Sequence, residues 1–159
     1  MVSASLDMLE ESLQKKIAIL EKIEEQNDKQ RDVLSVPEEV DEEAFDATVE
    51  AKGRLIDEIN SLDDGFQSLF DRVKEEIGDH KDQYADQIKR MQGLIQEITG
   101  RSASIEASEH RNKRLAEKYF STAREQMNLS RNSSSAAFNY YQTMNNFKNI
   151  PPQFMDKKN

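Results

Sequence analysis

The sequence predicts an all-α protein: an elongated, antiparallel helical bundle or coiled coil of three to four helices, one very long, with a mobile C-terminal segment. Three observations carry that prediction. Glycine and proline number only 5 and 3 in 159 residues, while 33% of residues are charged and 36% apolar, the composition of long amphipathic helices. Apolar residues recur at three- and four-residue spacing through most of the chain. No segment alternates with a period of two between turn signals, as a half-buried strand would.

The first helix is expected over 5–34. Leu9, Leu13, Leu20 and Ile23 lie on a heptad seam that admits Lys16 and continues through Asn27, Gln30 and Leu34. Polar residues on such a seam weaken stable self-association, so at most a weak homodimer is expected. Ile17 broadens the stripe, as in a helix that packs on more than one neighbour. Pro37 ends the helix, because the residue before a proline avoids the helical region.

Asp41 then caps a second helix, 41–61, with Glu42 and Glu43 at the positive end of its dipole. Phe45, Val49, Ile56 and Ile59 mark its apolar face, with Leu55 and Leu62 beside it. The short link between the two predicts a helical hairpin. Ser61 to Gly65 predicts a break, with Ser61 and Asp64 in a capping pattern, although one glycine costs a helix only about 1 kcal/mol and continuity is the alternative. A third helix, 66–77, carries Phe66, Leu69, Phe70, Val73 and Ile77. After Gly78-Asp79 the last helix, 79–129, shows Tyr84, Ile88, Met91, Ile95, Ile98, Ile105 and Leu115, over about 75 Å at 1.5 Å per residue. Gly93 and Gly100 leave it room for bends or close helix approach. These helices form a bundle over 1–129. The polar run Asn128 to Ser135 reads as a hinge into a flexible tail, 130–159, with room for a short helix over 136–147 before Pro151-Pro152.

The net charge of −9 is uneven: residues 1–80 hold 9 Lys+Arg and 23 Asp+Glu, residues 81–159 hold 13 and 8. An acidic half of that size repels a phosphate backbone and an anionic membrane surface, so neither nucleic acid nor membrane is the expected partner. The polarity reads either as a solvated acidic face or as attraction between segments of one fold. No apolar run approaches the roughly 20 residues of a membrane span. Met1 to Asp7 has neither the basic nor the apolar region of a signal peptide, so a cytoplasmic location is expected.

Chemistry-bearing motifs are scarce. There is no cysteine, and no phosphate-binding glycine loop, H-E-x-x-H or G-x-S-x-G pattern. His80 and His110 lie thirty residues apart on helical segments, and Asp63-Asp64-Gly65 lacks the ligand spacing of a calcium loop. No catalytic residue, cofactor or metal is expected, and the chain does not read as an enzyme. The C-terminal quarter is instead rich in aromatic and methionine residues. Such residues serve as ordinary core, or as an adaptable surface for a partner's amphipathic helix. On the second reading Phe120, Met127, Leu129, Phe138, Tyr141 and Met144 are the binding anchors.

Asp41 to Phe45, followed by Lys52, Leu55, Ile56, Ile59, Leu62 and Asp63, resembles the start of the second helix in the FlgN-type flagellar export chaperones. Glu109-His110-Arg111-Asn112-Lys113-Arg114-Leu115 and Tyr140-Tyr141-Gln142-Thr143-Met144 are similar to the late-helix and tail patterns of clostridial-type members. The resemblance implies a cytoplasmic chaperone without ATPase activity. It would bind the C-terminal helices of hook–filament junction proteins and deliver them to the flagellar type III export gate. A FliT-type chaperone of the filament cap protein has a similar size and build. A structural coiled-coil protein without a client is the remaining alternative.

Overall fold

The computed structural model describes residues 2–126 and Tyr140. The described residues form three long helices, α1 (Val2–Val33), α2 (Glu42–Ile77) and α3 (Ala85–Gln126), with no strand among them. Single 3-10 turns, Pro37–Glu39 and Lys81–Tyr84, lie in the two connections. The tail 130–159 and its short helix lie outside the described residues, apart from Tyr140.

Helix α1 ends at Val33, Pro37 keeps Val36 extended so that the helix does not resume, and Leu34 folds under as a buried residue. Asp41 caps α2: its carboxylate accepts from the backbone N–H groups of Glu43 at 3.1 Å and Ala44 at 3.3 Å. The expected break at Ser61 to Gly65 is absent. α2 runs through it as one helix, the continuity that a single glycine permits, so the described residues form three long helices, the lower of the expected three to four. Phe66, Val73 and Ile77 continue the buried stripe of Ile56 and Ile59, and that burial outweighs the cost of one glycine. Gly78 does end α2. It sits at φ 49°, which only glycine adopts freely, and its N–H bonds back to the Lys74 carbonyl. The last helix begins at Ala85 instead of 79, because Lys81–Tyr84 winds as a 3-10 turn. At 42 residues α3 spans about 63 Å. A Cβ at Gly93 or Gly100 would meet nothing within 4 Å, so neither marks a close helix approach.

The order of side-chain pairs gives the topology. Along α1, Lys16 meets Asp63, Asn27 meets Lys52 and Gln30 meets Thr48, so α1 and α2 run in opposite senses. Asp7 meets Gln87, Glu24 meets Arg101 and Asn27 meets Ser108, so α1 and α3 run in the same sense. Helix α1 packs along both neighbours, while α2 and α3 have little backbone contact with each other. The core is the α1 seam, from Leu6 through Leu20 to Ile23, against Phe45, Ile56 and Ile59 of α2 and Ile98 and Ile105 of α3. No helix among the described residues is long and apolar enough to cross a membrane.

Candidate functional site

The polar members of the α1 seam are not left facing a second chain. Each is buried and each is paired within this one. Lys16 bonds Asp63 at 2.9 Å. Asn27 and Gln30, one turn apart, sit at the centre of a buried polar node that draws on all three helices.

Lys52 of α2 is the hub of that node, with no exposed surface. Its ammonium donates to Asn27 Oδ1 at 2.9 Å, to Gln30 Oε1 at 2.8 Å and to both carboxylate oxygens of Glu109 at 3.1 Å. All three donors of the ammonium are therefore used. Asn112 of α3 donates to the Asn27 carbonyl at 2.9 Å and to Gln30 at 3.2 Å, and Gln30 donates to Thr48 at 3.0 Å. Tyr140 closes the node. Its hydroxyl donates to Glu109, and its ring lies 4.0 Å from the Lys52 ammonium in a cation–π contact. Burial pushes the Lys52 ammonium down to about 8, only partly opposed by the Glu109 carboxylate, which favours the charged form.

Next to the node, Phe45 of α2 meets Tyr119 and Phe120 of α3 edge-on, at 5.6 and 5.9 Å between ring centres. Burial, with Glu42 and Asp46 nearby, raises the Tyr119 hydroxyl above its usual range. Towards the other end of α1, Glu10 accepts from Arg90 and Gln87, which hold its carboxyl below the usual range. Arg101 reaches Glu21 and Glu24 of α1, so part of the charge polarity is attraction between elements of one fold. Among the described residues no group of acids and histidines is placed to hold a metal ion.

Of the six proposed anchors, only Phe120 is described. It is half-buried at the edge of the aromatic cluster. Met127, Leu129, Phe138, Tyr141 and Met144 lie outside the described residues. The node itself went unread in the sequence as a site, although its members were marked separately. Lys52, Glu109 with Asn112, and Tyr140 belong to the three separate stretches that resemble the FlgN type, and here they touch. The available signal was the pair of polar residues Asn27 and Gln30, one turn apart on a seam whose other polar member is Lys16.

Comparisons with protein-family models, with curated proteins and with solved structures found no match.

Proposed function

We propose that the protein is a cytoplasmic export chaperone of the FlgN type. It shields the amphipathic C-terminal helix of a hook–filament junction protein and passes it to the type III export gate. In this reading the helical bundle is the scaffold, and the client-binding segment comprises the last turns of α3 and the chain that follows, held to the bundle at Tyr140. Phe120, Met127, Leu129, Phe138, Tyr141 and Met144 are its anchors. Any part of that segment that orders on binding gives up some of the contact energy to entropy, which keeps capture reversible.

The observation that carries the reading is the convergence of the three resembling stretches on one buried node. Lys52, the Glu109–Asn112 turn and Tyr140 are far apart in sequence, so their meeting supports a shared plan over a chance likeness of helical sequences. A self-assembling coiled coil is disfavoured by the same geometry, because the α1 seam is already spent on α2 and α3.

The test is calorimetric titration of the full chain with synthetic C-terminal peptides of junction proteins, beside a chain truncated after Leu129. Saturable binding that the truncation removes, with helical circular dichroism retained, is expected. Absence of binding by the full chain overturns the client. Equal binding by both chains moves the site off the C-terminal segment.

A further inference from the structure

Among the described residues the bundle keeps an open cleft at one end. Between the last turns of α2 and the first turns of α3 lies a half-open cleft of about 220 Å³. Phe70, Val73 and Ile77 line one side and Ile88, Met91 and Ile95 the other. Both sets follow the i, i+3 or i+4, i+7 spacing of a helix face. Leu6 and Leu9 of α1 line the space between them. Leu6, Leu9, Val73, Ile77 and Met91 form its buried floor, and Phe70, Ile88 and Ile95 its half-buried rim.

The polar lining has one sign. It consists of Lys74, Lys81 and Gln92, with no carboxylate. Among the described residues no carboxylate lies within ion-pair distance of either ammonium, although the chain as a whole is acidic.

We propose that this cleft docks an amphipathic helix of another protein, one that inserts two or three apolar side chains and sets a carboxylate against Lys74 and Lys81. The volume suits a few aliphatic side chains and is below the few hundred Å³ of a typical small-molecule site. A second copy is a poor occupant. Met8 and Val36 are the only large apolar residues exposed among those described, so the described part of a second copy has no apolar face to offer. The chain's own end is a poor one too, since Lys157 and Lys158 against the single Asp156 have the wrong sign. The proposal does not rest on the chaperone reading, and its probe is chosen to be independent of it.

The probe is a synthetic helical peptide of about four turns with leucines at i, i+4 and i+7 flanked by glutamates. It is titrated into the full chain carrying ¹³C-methyl methionine, with the Met91 signal identified by Met91→Leu. Saturable movement of the Met91 signal is expected. The exposed pair Lys74→Glu/Lys81→Glu should weaken binding about tenfold, and a peptide with lysines for glutamates should restore it. Gln92→Trp, also exposed, should block the cleft without unfolding the chain, with circular dichroism as the check. An unmoved Met91 signal, or equal affinity in the charge-reversed chain, overturns the proposal. So does movement of the signal with protein concentration alone, the mark of a second copy, or saturation by octanoate and not by the peptide.

Discussion

Lys52 is the residue whose environment departs furthest from the ordinary. Removing only one member of a buried ion pair strands the other, at a cost of about 3–5 kcal/mol, whereas removing both together is often near neutral. Lys52→Met should therefore cost about 3 kcal/mol in urea unfolding, and Lys52→Met/Glu109→Gln much less. The pH dependence follows from the same burial. In the folded chain Lys52 loses its proton near pH 8, against about 10.5 when unfolded. Between those values the unfolded chain holds more protons, so folding is favoured increasingly as pH rises. From pH 7.5 to 9.5 the unfolding free energy of the parent should rise by about 2 kcal/mol relative to the double variant. Comparing the two removes the titration that they share. A flat difference would mean that the ammonium keeps its ordinary affinity for protons.

At the scale of elements, the helices hold together by a shared apolar face, and their glycines play two opposite parts. Gly65 is helical, and a Cβ there would meet nothing within 4 Å. Gly65→Ala should stabilise the chain by about 0.5–1 kcal/mol, read as a rise of a few degrees in Tm. Gly78 is at φ 49°, so Gly78→Ala should lower Tm instead. Leu13 and Ile56 are both buried in the shared core. Leu13→Asp and Ile56→Asp should each cost more than about 3 kcal/mol in urea unfolding, because each buries an unpaired carboxylate. A variant that unfolds with the parent's midpoint would exclude that residue from the core.

For the whole molecule, the uneven charge is partly internal. Arg90 and Arg101 of α3 reach carboxylates of α1, but both arginines are in contact with solvent. Salt screens exposed pairs, and each contributes little. Raising sodium chloride from about 0.05 to 1 M should therefore shift unfolding free energy by no more than about 1 kcal/mol. A larger loss would mean that the bundle depends on its charge pattern. The structural load rests instead on the seam from Leu6 to Ile23 and on the Lys52 node, both sheltered from salt.

Local rules were enough for the helical class, the turn at Pro37, the cap at Asp41 and the stop at Gly78. Each depends on a few neighbouring residues and on backbone sterics. The apolar faces were legible too, since a period of 3.6 residues needs no partner to be seen. What lay beyond sequence was the outcome at Gly65, where a weak local cost met the tertiary gain of burying Phe66, Val73 and Ile77 in line with Ile59. The same holds for Asn27 and Gln30. On the seam they read as obstacles to association, but in the bundle they hold the ammonium of Lys52, twenty-two or more residues away. Helical spacing specifies which side chains share a face. Only the packing of α1 between α2 and α3 decided that Lys52, Glu109 and Tyr140 would meet, because such pairing depends on contacts that no local stretch contains.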